Sequence, residues 1–289
     1  MPRALGARRR FSLVFAACLL GLLAFGAGAS ADVLSPESGG SPNADLVDTL
    51  WWIVFVIALL VLTGVLGTLL LFIVKYRARK GRVAAQIHGN TRLEIGWTVG
   101  AAVIVVALTV VTFIMLPGIK DPEESGGGQS ASLAGAQLVS VDQPKVPGGR
   151  SLTIDVNGQQ YIWRYTYPGG VYSYEEMVVP ANVTVVLRIR SQDVAHSWWI
   201  PKMGGKMDAL PGYTNYTWLK APKPGVIYRG QCAELCGRNH ADMVARVRVV
   251  TEEEYRAFIA SKRQQIQQAN RDATAQRQRL QPRGQGREP

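Results

Sequence analysis

Between Gly230 and Met243 the chain reads GQCAELCGRNHADM, two cysteines, a histidine and a methionine within fourteen residues. The whole sequence holds only three cysteines and three histidines, and a second histidine, His196, lies upstream in DVAHSWWIP. Thiolate, imidazole and thioether together form the soft donor set that suits copper. Cys232 and Cys236 are four residues apart on one loop, a spacing that lets both sulfurs face a shared point. Two thiolates beside two imidazoles exceed what one trigonal copper site needs. If each sulfur bridges two copper ions, each metal takes one histidine, His196 or His240. Met243 and the backbone carbonyl of Glu234 then supply one weak axial donor apiece. Shared thiolates spread the unpaired electron over both metals, a property that serves electron transfer better than bond-making. Two blander readings compete. A Cys232–Cys236 disulfide suits an oxidising compartment but leaves His240 and Met243 without a purpose. Structural zinc uses closer cysteine pairs and no thioether.

Which reading holds depends on the side of a membrane that the loop faces. Thr49–Val74 and Gly96–Pro117 are uncharged apolar runs, each long enough to cross about 30 Å of hydrocarbon as a helix. Between them lie Lys75, Arg77, Arg79, Lys80, Arg82 and Arg92, opposed only by Glu94. Such a basic loop is cytoplasmic, so everything after Pro117 is expected outside. The N-terminus agrees. Arg3, Arg8, Arg9 and Arg10 precede a short apolar run, and Ala29-Ser30-Ala31 fits a signal-peptide cleavage site before Asp32. Cleavage would remove Cys18 and leave Cys232 and Cys236 as the cysteines of the mature chain. The net charge of +11 therefore follows largely from membrane topology and a basic C-terminus. No basic face accompanies a nucleic-acid-binding motif, and no nucleic acid is expected as a partner.

The expected organisation is a signal peptide over 1–31, then an N-terminal segment and two membrane helices over 32–120, the spans near 49–74 and 94–117. A Gly/Ser linker over 121–135 follows. From 136 to 260 the pattern changes to short β-type runs such as SLTIDVN, QYIWRYTY, NVTVVLRIRS and MVARVRVV, divided by Pro-Gly turns. Strands at that spacing predict an all-β sandwich or barrel. Thr251 to Glu254 forms a capping box for a terminal helix. The tail over 261–289 is Gln- and Arg-rich and is expected to be disordered or weakly helical.

Taken together, Cys-x-Glu-x-Cys-Gly-x-x-His-x-x-Met and the upstream Asp-Val-x-His-Ser resemble subunit II of haem-copper cytochrome c oxidase. The resemblance runs from about Asp48 to Ile259. It implies a two-helix hairpin followed by a cupredoxin-like Greek-key domain in a bacterial cell membrane, that domain lying on the extracytoplasmic side. It also implies a dinuclear copper centre, CuA, held by His196, Cys232, the Glu234 carbonyl, Cys236, His240 and Met243. The centre would take electrons from cytochrome c and pass them to haem in subunit I, where oxygen becomes water with proton translocation; subunit III completes the set of partners. The Glu234 side chain would reach a magnesium ion at the subunit boundary. Glu94 matches a glutamate at a proton-path entrance, although Thr91-x-x-Glu94 also reads as a helix cap. Asp193 would dock a basic donor or stabilise a turn, and Asp208, in KMDALPG, reads as a turn residue. The family's electron-receiving tryptophan is replaced here by Tyr161, with Trp163 two residues later. Strand alternation would put Tyr161, Trp163 and Tyr165 on one face. Lys202, Lys206, Lys220 and Arg238 flank the motif loops, which leaves a membrane-bound cytochrome or a small copper protein open as donor.

Other classes remain distinguishable. A tethered copper chaperone or thiol oxidoreductase would need neither Met243 nor His196. A quinol oxidase subunit of the same fold normally lacks the copper ligands. Neither membrane run contains a histidine to hold haem, so oxygen chemistry belongs to a partner.

Overall fold

The computed structural model describes residues 35–78, 81, 83, 85–121 and 151–280. The expected signal peptide, the linker beyond Asp121, the first part of the β domain to residue 150 and the tail over 281–289 lie outside them. Helix α1 spans Pro42–Lys75 and α2 spans Thr91–Lys120. Both exceed the apolar runs. At about 1.5 Å per residue, α1's 34 residues outreach the hydrocarbon core, so its first turns stand beyond the membrane. Within the apolar run, the Thr63 and Thr68 hydroxyls donate to the Leu59 and Gly64 carbonyls and stay satisfied without water. At the start of α2 the cap is Asn90 rather than Thr91. Asn90 Oδ1 accepts from Leu93 N, and Glu94 Oε1 accepts from Asn90 N at 3.2 Å.

Ten strands follow among the described residues: β1 Ser151–Gln159, β2 Ile162–Thr166, β3 Tyr172–Tyr174, β4 Glu176–Pro180, β5 Thr184–Ser191, β6 His196–Trp199, β7 Met207–Ala209, β8 Asn215–Leu219, β9 Ile227–Cys232 and β10 Val244–Val250. They make two five-stranded sheets, β3-β2-β1-β5-β8 and β4-β10-β9-β6-β7. The β1–β5 and β4–β10 pairs are parallel and the rest antiparallel. Every second residue points inward. Val185, Leu187 and Ile189 of β5 and Val247 and Val249 of β10 are fully buried between the sheets, with Trp163, Tyr165 and Met177. The Trp198 indole N–H donates to Tyr165 OH at 3.2 Å across that core.

The sandwich grips the outer ends of both membrane helices. Asn43 Nδ2 in α1 donates to Trp218 O at 3.0 Å, and the Trp218 indole donates to Ile119 O in α2 at 2.9 Å. Lys220 N donates to Ser41 Oγ, and Gly40 N to Lys202 O. Trp218, in β8, thus ties the β domain to both helices at once.

The tail departs from expectation. Instead of losing order after residue 260, helix α3 runs Glu252–Leu280. The Thr251–Glu254 capping box forms, with Thr251 N donating to Glu254 Oε2 at 2.8 Å. Tyr255, Phe258, Ile259 and Ile266 pack on the sandwich core, the first two against the Tyr167 ring. Beyond them Gln and Arg are good helix formers, and Gln268 pairs with both Asp272 and Arg271.

Candidate metal centre

His196 opens β6, and its side chain is fully buried. Three residues earlier Asp193 holds the ring: Asp193 Oδ1 lies 2.8 Å from His196 Nε2. The same carboxylate accepts from Gln160 N at 2.7 Å, Val194 N at 2.7 Å and Ser191 Oγ at 3.2 Å. With Nε2 occupied, Nδ1 is the nitrogen left facing Cys232 Sγ, 3.9 Å away. Desolvation pushes the Asp193 carboxyl up, but the donors from Gln160, His196 and Val194 outweigh it and bring its pKa down to about 2.

The second loop hangs between β9 and β10. Cys232 ends β9, and its N–H bonds Met243 O at 2.9 Å, which closes the loop at its base. Gly237 turns it, with φ at +133°, a conformation that side chains rarely adopt. A single 3-10 turn over His240–Asp242 then aims His240 back toward the sulfurs. Cys232 and Cys236 are free thiols whose sulfurs lie 3.9 Å apart. His240 Nδ1 is 3.6 Å and Met243 Sδ 3.9 Å from Cys236 Sγ, while the Glu234 carbonyl is 3.3 Å from Cys232 Sγ. Each sulfur therefore has one imidazole and one weak neutral donor beside it. All six predicted donors converge.

Burial pushes both thiols up. At Cys232, hydrogen bonds from His196 and from backbone groups of Glu234 and Ser197 more than offset it and bring the pKa to about 6. At Cys236 burial and the neighbouring Cys232 raise the pKa to about 11. Burial lowers His196, but Cys232 and Asp193 raise it further, so its net shift is upward.

These groups fit a thiolate-bridged copper pair. The two sulfurs, 3.9 Å apart, are near enough for both to reach one ion. They are not bonded to each other in this structure, a disulfide bond being about 2.05 Å. Met243, buried without exposure and directed at Cys236, is a soft thioether that zinc seldom recruits and copper accepts.

The remaining predicted residues separate. Trp163 is 0% exposed, its ring centroid 5.9 Å from that of His196. Strand β2 begins at Ile162, so Tyr161 lies in the turn before it rather than on a shared strand face. The Tyr161 hydroxyl accepts from Arg238 N at 3.1 Å. The Glu234 side chain is exposed, free of the contacts its carbonyl makes. Asp208, on β7, is exposed opposite Ser197. Glu94 is exposed at the first turn of α2, far from the donor cluster in sequence and fold. Sequence reasoning missed the orienting role of Asp193, legible only as an acidic residue three before a ligand histidine. It also missed Gln160, whose partners lie 33 and 76 residues away.

Known proteins carry the same two-part pattern. Residues 171–250 match the model of the family "Cytochrome C oxidase subunit II, periplasmic domain", and residues 32–115 match that of the "Cytochrome C oxidase subunit II, transmembrane domain". The chain is 34% identical over 209 residues to cytochrome c oxidase subunit 2 of Alkalihalophilus pseudofirmus, covering 71% of this chain and 55% of that protein. It spans about half of that relative's length. It is 32% identical to the subunit 2 of Thermostichus vulcanus, over 78% of this chain and 77% of the relative. The probable subunit 2 of Rickettsia bellii is 33% identical, with 68% and 72% covered. A crystal structure of the periplasmic domain of subunit II of cytochrome oxidase from Bradyrhizobium japonicum is 35% identical, with a TM-score of 0.39, over 40% of this chain and 96% of that one.

Proposed function

Since the chain belongs to the cytochrome c oxidase subunit II family, we propose that it is the electron-accepting subunit of an aerobic respiratory oxidase in a bacterial cell membrane. The observation that carries this reading is the pair of free, buried sulfurs 3.9 Å apart, each flanked by an imidazole nitrogen and a weak neutral donor. His196, Cys232, the Glu234 carbonyl, Cys236, His240 and Met243 would hold a dinuclear copper centre. When bound, that centre supplies a one-electron carrier whose spin is shared between two metals.

The chain's own residues do the rest. Asp193 fixes the orientation and tautomer of His196, as second-sphere carboxylates do for ligand histidines. The β9–β10 ladder fixes Cys232 and Met243. Burial excludes water from the sulfurs. Tyr161 is the better candidate than Trp163 for the residue where the electron arrives, because Trp163 has no surface and Tyr161 hydrogen-bonds the Cys236–His240 segment directly. Electrons from cytochrome c, or a similar donor, would pass on to haem in subunit I, which with subunit III completes the complex and reduces oxygen to water coupled to proton translocation. The exposed Glu234 carboxylate would contribute to a magnesium site at the subunit I boundary. Glu94, at the cytoplasmic start of α2, would stand at the entrance of a proton path.

The assembled oxidase tests this reading. The parent chain is expected to hold two copper ions with one shared spin by electron spin resonance. Cys232→Ser should abolish both that signal and donor oxidation. Normal oxidase turnover in a copper-free Cys232→Ser complex would refute it.

A further inference from the structure

Gln160 touches both metal-binding loops. Its backbone N–H donates to Asp193 Oδ2 at 2.7 Å, and the other oxygen of that carboxylate holds His196 Nε2. Its side-chain Nε2 donates to the Cys236 carbonyl at 2.6 Å. The two loops are carried by different strands, His196 on β6 and Cys236 between β9 and β10; β6 and β9 pair at Trp198 and Cys232, and Ala233 N donates to Ser197 O, so Gln160 adds its link on the far side, at Cys236. The β1–β2 turn that bears Gln160 is itself anchored: Gln192 N, in the His196 loop, donates to Gly158 O at 3.0 Å. Room for the side chain comes from Gly237. A Cβ there would lie 2.9 Å from Gln160 Nε2 and 2.6 Å from Tyr161 OH, so any larger residue would evict the clamp.

We propose that Gln160 is a positioning residue that sets the spacing between the His196 half and the Cys236 half of the centre; this deepens the copper reading above. One polar residue, bonded to no donor sulfur or imidazole itself, thus joins the Asp193–His196 pair to the Cys236 turn. Its loss frees the Cys236 carbonyl and slackens the loop that directs Cys236 and His240. The sulfurs then wander from their 3.9 Å separation, and the two metals cease to be equivalent. The backbone donor to Asp193 survives any side-chain change, so the perturbation falls on the Cys236 half alone.

The test uses the full chain in detergent as parent, Gln160→Met (similar length, no donor) and Gln160→Glu (a carboxylate against a carbonyl). With copper loaded, the variants should keep two metals but show altered copper hyperfine splitting. They should lose copper to a cuprous chelator roughly threefold to tenfold faster, the equivalent of one lost hydrogen bond. In the metal-free protein, the two thiols should close to a disulfide faster with diamide as oxidant, since loosened sulfurs reach bonding distance more often. Hyperfine splitting and closure rate equal to the parent's in both variants would overturn the proposal. A lowered melting temperature with both readouts unchanged would do the same, by reducing Gln160 to a packing residue. A parent that binds no copper would sink the copper reading instead, while the thiol closure rate would still decide the clamp.

Discussion

Gly158→Ala should disturb one imidazole of the centre and leave the other alone. Gly158 lies in β1, paired with Trp163 of β2 and Ser191 of β5, so neighbours on both sides prevent its backbone from retreating. A Cβ at this position would come within 3.0 Å of Trp163 Cζ3, 3.1 Å of His196 Cδ2 and 3.3 Å of His196 Cγ. Ordinary carbon contacts begin near 3.4 Å, so both rings must give by a few tenths of an ångström. Neither has free space, because both are fully buried. Overpacking of that kind costs about 1–3 kcal/mol, which for a domain of this size lowers the melting temperature by about 4 °C per kcal/mol. The Asp193 bond holds Nε2, so the ring is expected to pivot about that end and swing Nδ1 relative to Cys232. Thermal melts of the metal-free chain and nitrogen couplings in the spin resonance spectrum of the loaded chain read the two halves of the effect. One histidine's coupling should change while the other's stays. A metal-free melt within about 1 °C of the parent, together with an unchanged spectrum, would refute the reasoning.

Two further substitutions separate scaffold from site. Tyr165→Phe removes the acceptor for the buried Trp198 indole and should destabilise the domain by about 1–3 kcal/mol; urea unfolding of the metal-free chain measures it, and the copper spectrum should not move. Asp193→Ala strips His196 of its Nε2 partner and should lower copper affinity roughly 10–100-fold, measured by competition with a chelator. Because it also unpairs Gln160 N and Val194 N, the urea midpoint should fall too, but here, unlike in Tyr165→Phe, the copper spectrum should move.

The two membrane helices were legible because uncharged runs of that length have few other uses, and the first turns of α1 were not, because they rest on a contact with β8 that no local pattern announces. Asn43 and Ser41 look like ordinary helix-start residues; only the fold reveals their bonds to Trp218 and Lys220. Most strands followed from alternation, but β3 and β7 are three residues each, too short to show a period. The tail misled by composition. Four apolar residues, Tyr255, Phe258, Ile259 and Ile266, anchor α3, and a Gln/Arg-rich stretch beyond such an anchor continues a helix that it would not start alone. The six groups that the fold brings together were all named from the sequence, since thiols, imidazoles and a thioether at fixed spacing carry their chemistry in their identity. What orients them was not. Asp193 and Gln160 are common polar residues whose meaning comes from partners brought near by the sandwich.

That division bears on the electron transfer proposed above, in which the site would have to keep its shape through a change of charge. An electron carrier works best when its ligands move little between oxidation states, and here four of the six groups have backbone or second-partner hydrogen bonds that hold them. His196 is held by Asp193, Cys232 and Met243 by the ladder between β9 and β10, and Cys236 by the turn at Gly237 and the bond from Gln160. Displacing His196, Cys232, Met243 or Cys236 would strain or break one of these hydrogen bonds. The two sulfurs, 3.9 Å apart, thus stand on backbone that is hydrogen-bonded beside each of them.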